Sequence, residues 1–283
     1  MRWEGRRQSE YVEDRRGVST PTMVGGGLLA LLLMVGLMFL GVDPKQAAMI
    51  GNGLAPAPRA QVPAKPANDA GKKFISTVLA ENEDVWAKLF PPNFDGRYVP
   101  AKLVMFSGQV QSGCGVASAA AGPFYCPLDR KVYIDLSFYD ELKRRFGAPG
   151  EFAQAYVIAH EIGHHVQNQL GISAQVQSMR QRLSERDYNK LSVRMELQAD
   201  FLAGVWAHHV ARYAGILDEQ DILDAVNAAA AIGDDKIQRQ AQGYVVPDAF
   251  THGTSAQRQR WFLYGLKTGD PKLMDRAFEV DEP

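Results

Sequence analysis

Ala155-Tyr-Val-Ile-Ala-His160-Glu161-Ile-Gly-His164-His165-Val-Gln-Asn-Gln-Leu170 is the stretch on which the fold turns. On an α-helix, residues four apart lie one turn above each other, so His160 and His164 aim their imidazoles at one point while Glu161 stands beside them. Two neutral imidazoles and a carboxylate suit zinc with a fourth position open to water, and the adjacent glutamate can accept that water's proton. The flanks support a buried helix. Ala148-Pro149-Gly150 interrupts the chain, Glu151 puts negative charge in the first turn, Phe152, Tyr156, Val157 and Ile162 are apolar, and Gly171 offers a stop. His165 points away from the pair at helical spacing and reads either as a support behind the ligands or as structural.

Zinc then needs a third protein ligand. A motif carrying its own third histidine would have Gly and His where this chain has Gln167 and Leu170, so the ligand lies elsewhere. Met195-Glu196-Leu-Gln-Ala-Asp200-Phe201, inside a helical stretch from 191 to 214, puts two carboxylates one turn apart amid Leu197, Leu202, Val205 and Trp206. Unpaired carboxylates on a buried face are costly, and a cation opposite them removes the difficulty. Glu196 is assigned as the third ligand and Asp200 as the acceptor for the other ring N–H of a ligating histidine, with an exchange of the two roles left open. His208 and His209 lie further along the helix and read as structural or exposed. His252, in a turn ahead of a final helix capped by Thr254 or Ser255, is either a donor to a developing oxyanion or a local turn residue.

The chain has 283 residues, 46% hydrophobic and 22% charged with net charge -1, which fits one globular domain plus appendages. No basic cluster with interleaved aromatics appears, so nucleic acid is not expected as a partner. Residues 1–22 mix arginines with acids and read as an unstructured cytoplasmic tail. Residues 23–42 carry no charge and are long enough, as a helix, to cross about 30 Å of hydrocarbon. Five arginines precede this transmembrane helix and only Lys45 and Arg59 closely follow it, which keeps the N-terminus in the cytoplasm. An uncleaved anchor fits better than a signal peptide, because the leader is long and the one clear Ala-x-Ala, Ala55-Pro56-Ala57, precedes Pro58.

Residues 43–69 form an Ala/Pro-rich tether. Residues 70–283 are then the exported domain, on the side of the membrane away from the cytoplasm. Such a compartment is oxidising, which makes a Cys114–Cys126 disulfide the expected state. A helix at 70–90 stopped by Pro91-Pro92, strands at 98–110 and 131–138, and a helix from Asp218 to Ala231 complete the outline. The fold class is α+β, mainly helical, with a small sheet ahead of the motif helix.

Taken together, His160-Glu161-Ile-Gly-His164-His165, Glu196-Leu-Gln-Ala-Asp200, the Ser112-Gly-Cys-Gly115 to Tyr125-Cys-Pro127 loop and Thr251-His-Gly-Thr-Ser-Ala-Gln-Arg258 resemble the bacterial neutral zinc metallopeptidase family. Met1-Arg-Trp and Glu13-Asp-Arg-Arg-Gly17 are similar to it too. The resemblance covers nearly the whole chain and implies a membrane-anchored, zincin-like domain, nearest to the gluzincins through Glu196. The expected activity is hydrolysis of peptide or protein substrates with one zinc ion per chain. Glu161 acts as general base, and a substrate strand pairs with 104–119 or 131–138. Two rivals stand beside it: a tethered binding or assembly protein with a structural zinc, and a zinc amidase acting on cell-wall material.

Overall fold

The structure, a computed structural model, describes residues 1–17, 69–144 and 150–280. In chain order its elements are β1 (Val12–Asp14), α1 (Ala70–Asn93), β2 (Lys102–Phe106), β3 (Gln109–Ser112), β4 (Gly115–Ser118), β5 (Phe124–Cys126), β6 (Lys131–Asp135), α2 (Ser137–Arg144) and α3 (Glu151–Gln169). Then follow α4 (Ile172–Met179), α5 (Glu185–His209), α6 (Glu219–Ala231), α7 (Asp234–Gln242), α8 (Ser255–Thr268) and α9 (Arg276–Glu279). The described part is therefore a mixed, mainly helical α+β domain.

The sheet runs β1-β2-β6-β5, with β1, β2 and β6 parallel and β5 antiparallel at one edge. Side chains alternate across it with period two, so Leu103, Met105, Val132 and Ile134 enter the main core. Val104, Phe106 and Tyr133 face a smaller cluster with Val110 and Cys126. Both faces of β2 and β6 are covered, as befits internal parallel strands.

Helix α3 is apolar or small around most of its circumference and sits centrally, packed against α1, α5 and α6. Its approach to α5 depends on Gly163, where an added Cβ would stand 2.9 Å from the Ala199 carbonyl oxygen. A side chain there would separate the two helices that carry the candidate ligands.

Several expectations change. Residues 1–22 are not simply a loose tail, since Val12–Asp14 pairs with Leu103–Met105 as an edge strand of the domain's own sheet. The strand at 131–138 stops at Asp135, whose carboxylate accepts the Ser137 N–H at 2.9 Å and turns the chain into α2. The strand at 98–110 is β2 followed by a turn at Gly108 into the separate β3–β4 hairpin. Helix α1 carries Pro91 and Pro92 in its last turn, beyond the expected stop, where Asn93 Nδ2 donates to the Leu89 carbonyl at 2.7 Å. The span at 23–42 and the tether at 43–69 lie outside the described residues, apart from Asp69, which caps α1. Among the described residues no helix is long and apolar enough to cross a membrane.

Candidate metal centre

His160 and His164 project from α3 toward α5, where Glu196 meets both. Glu196 Oε2 lies 3.1 Å from His160 Nε2, and Oε1 lies 3.3 Å from His164 Nε2. One ligand atom from each residue falls within 4.8 Å of the other two, a triangle that one ion can occupy. Glu161 is buried and lines the same cavity, of about 480 Å³, together with Tyr125, Val157, His252 and Arg258.

Each histidine is held from behind at Nδ1. Asp200 Oδ1 lies 2.8 Å from His160 Nδ1, and Gln167 Oε1 lies 2.8 Å from His164 Nδ1. Both partners accept, so each ring is held as an Nδ1–H donor, and Nε2, which faces Glu196, is the nitrogen left for a metal once its own proton is displaced. The two supports differ in kind. Asp200 is fully buried and takes the Arg258 guanidinium at 2.8 Å (Nε to Oδ2) and 3.0 Å (Nη2 to Oδ1), while the Tyr156 hydroxyl donates to it at 2.5 Å. Gln167 is held by neutral groups, donating to the Met195 carbonyl at 2.7 Å and to Gln198 Oε1 at 2.9 Å.

The electrostatics fit a cation. Burial opposes protonation of His160, yet the carboxylates of Asp200 and Glu196 overcome it and raise the ring to about 10. His164 is raised against its burial in the same way by Glu196. Although burial would raise Glu196, the two rings hold it well below the usual carboxylate range. Glu196 and Asp200 thus hold positive charge between them, as protons on the two rings or as an ion that displaces those protons. The donor set, two imidazoles and a carboxylate, is that of a zinc site with an open position.

The remaining histidines separate cleanly. His165 turns away, with Nδ1 3.0 Å from the Tyr125 hydroxyl and Nε2 2.7 Å from the Val99 carbonyl oxygen, and burial pushes it down to about 4. His208 and His209 contact the carbonyls of Leu266 and Gly269, on α8 and its cap. His252 lies on the cavity rim with a half-exposed side chain, its Nδ1 3.1 Å from Asp234 Oδ1. Asp234 Oδ2 also accepts the backbone N–H groups of Thr251, His252 and Gly253 at 2.8, 2.6 and 3.1 Å, so one carboxylate holds both the turn and the ring.

With α3 crossing α5 at a metal-sized triangle, relatedness completes the picture. The family model described as "putative neutral zinc metallopeptidase" matches residues 1–277. The chain belongs to that family. The uncharacterized protein YpfJ of Escherichia coli K12 is 48% identical over 281 residues, covering 96% of each chain. The uncharacterized protein Rv2575 of Mycobacterium tuberculosis is 42% identical over 226 residues, 75% of this chain and 74% of its own. No solved structure matches.

Sequence reasoning missed Tyr156, Gln167, Asp234 and Arg258. Arg258 carried a signal: it precedes the apolar Trp261 and Phe262 by three and four residues, which puts a charge on a buried helix face. Of the strands expected to receive a substrate, β6 is flanked by β2 and β5, which leaves the β3–β4 hairpin within 104–119; β5, one of the two edges of the four-stranded sheet, joins it because its Phe124 and Tyr125 line the cavity. Cys114 and Cys126 form a disulfide with Cα atoms 5.8 Å apart, which ties the hairpin to that edge.

Proposed function

We propose that the protein is a zinc-dependent peptidase whose ion is held by His160, His164 and Glu196. The observation that carries this is the paired support at Nδ1. Two rings presented Nε2-first to one carboxylate, beside a further glutamate and an open cavity, make an incomplete coordination sphere poised for chemistry rather than a closed structural site. Zinc in such a site supplies Lewis acidity, which acidifies water and polarises a carbonyl. Glu161 on the cavity wall takes a proton from the attacking water and delivers it to the leaving amine. His252, steadied by Asp234, donates to the developing oxyanion from the rim. The free edge of β5 offers unpaired backbone groups along which an extended peptide can lie.

The disulfide suits an oxidising compartment, and the uncharged stretch at 23–42 suits attachment to a bilayer. The reading therefore places the domain on an extracytoplasmic face of a bacterial inner membrane, with peptides or proteins as substrates. The test is metal analysis of the purified full chain beside Glu161→Gln in a general proteolysis assay. One zinc per chain in both proteins, with hydrolysis only in the unsubstituted one, is the expected result. Zinc held with no hydrolysis by either would point to a binding or assembly role. Cleavage confined to cell-wall amides would move the substrate class.

A further inference from the structure

The first fourteen residues are bound into the metallopeptidase domain by contacts that need them. β1 extends the sheet in parallel, in register Val12 with Leu103 and Asp14 with Met105. The Leu103 N–H donates to the Tyr11 carbonyl at 2.9 Å, and the Arg15 N–H donates to the Met105 carbonyl at 2.8 Å. Upstream, Arg6 Nε reaches Glu81 at 2.6 Å, Arg7 Nη2 reaches Glu83 at 2.9 Å, and the Ser9 hydroxyl donates to Glu83. Glu81 and Glu83 are both buried on α1. Their burial is completed by the segment that also supplies their hydrogen-bond donors, so the two glutamates and residues 6–9 fit as one unit. Trp3 packs edge-on against Phe74 with ring centroids 5.5 Å apart, and its Nε1 donates to Glu151 at 3.2 Å, in the first turn of the helix that carries the histidine pair.

Residues 23–42 intervene between this segment and α1, and their twenty uncharged residues suffice for one crossing of a bilayer and not for two. A single crossing would put β1 and β2 on opposite faces, where they cannot pair. We propose that residues 1–14 and the metallopeptidase domain face the same side of any membrane to which the chain is attached. Arg6, Arg7 and Arg15, which by position argue for a cytoplasmic N-terminus, are ion-pair partners within the fold. The inference also requires residues 1–14 to remain with the domain, because cleavage after the uncharged stretch would detach the edge strand. It does not rest on the proposed reaction.

Both cysteines of the chain are in the disulfide, so an added cysteine is a unique handle. Glu10→Cys and Gln240→Cys, both at exposed positions, are made separately in the full chain. Each is treated in cells with a membrane-impermeant maleimide, before and after lysis, with the denatured chain giving total labelling. Equal accessibility at the two positions, whether in intact or only in lysed cells, is the expected result. Labelling of one from outside and the other only after lysis overturns the proposal. So does a mature chain that has lost position 10. Neither outcome reads hydrolysis, so the peptidase assignment and this topology fail separately.

Discussion

The helical wall of the cavity, α3 against α5, is fastened by buried side-chain networks, whereas the facing wall, Ala120–Tyr125 running into β5, is exposed or half-buried and is held by backbone pairing to β6, by the Tyr125 hydroxyl and by one disulfide. The difference divides the labour of the site. Metal geometry requires two ring nitrogens and a carboxylate oxygen to hold position within fractions of an ångström, which close packing and full hydrogen bonding provide. A surface that receives varied side chains can be looser. Within the helical wall the same contrast recurs on a smaller scale, since His160 is supported by an ionic network and His164 by a chain of amides.

That inner contrast is where substitution has its largest expected effect. Asp200→Asn keeps an acceptor for His160 but leaves the buried Arg258 without its ion-pair partner, a change of about 3–5 kcal/mol in stability. Gln167→Leu removes the support of His164 and the amide's bonds to Met195 and Gln198, but frees no charge. Both should weaken zinc binding by about 10–100-fold, the usual range for groups that orient ligands. Only Asp200→Asn should also lower the thermal midpoint steeply. Metal titration and melting of the zinc-free proteins check this, and equal stability losses in the two variants would show that Arg258 finds another partner.

How far each wall could be read in the sequence follows from how local its determinants are. His160 with His164, and Glu196 with Asp200, are contacts one helical turn apart, so spacing alone places each pair on one face. Asp218 and Thr254 announce their helices as N-caps, and the structure shows capping boxes with Asp221 and Gln257. What was illegible depends on distant partners. Val12 stands between Tyr11 and Glu13-Asp14, and nothing in those three strand residues indicates a partner strand beginning at Lys102. β5 hides inside the disulfide loop for the same reason, as three residues recruited by antiparallel pairing to β6. Asp234 reads as the first-turn acid of a short helix, and only the fold brings the turn at 251–253 onto it.

The outer wall supplies the second prediction. Cys126 is fully buried in the small cluster with Val104, Phe106 and Tyr133, while Cys114 is exposed, so the bond anchors the exposed hairpin turn to the buried cluster. Replacing both by serine should cost about 3 kcal/mol, as expected for closure of a loop this short. Zinc content should be unchanged, because no ligand or ligand support lies on this wall. Peptide hydrolysis should show a raised KM with kcat largely kept. A fall in zinc content instead would mean that the two walls are mechanically one.

The smallest effect belongs to the rim, where the walls meet at His252. Its hydrogen bond to Asp234 raises the ring above the ordinary histidine value, and although burial would raise Asp234, the bonds from His252 and the turn hold it below its own. A histidine raised in the folded state contributes stability that is complete below the ordinary value, about 6.5, and is lost as pH rises through the folded value. A depressed aspartate contributes above its ordinary value and loses that contribution as pH falls through the folded one. The pair is therefore strongest in the window between the two folded values. Asp234→Asn keeps an oxygen for the backbone N–H groups of the turn but removes the charge. It should move the His252 midpoint down toward the ordinary value, followed by NMR of the ring Cε1–H. The alkaline limb of hydrolysis should move down with it, since a protonated ring is the better oxyanion donor. A limb that stays in place while the ring midpoint falls would remove His252 from the reaction and leave it a turn residue.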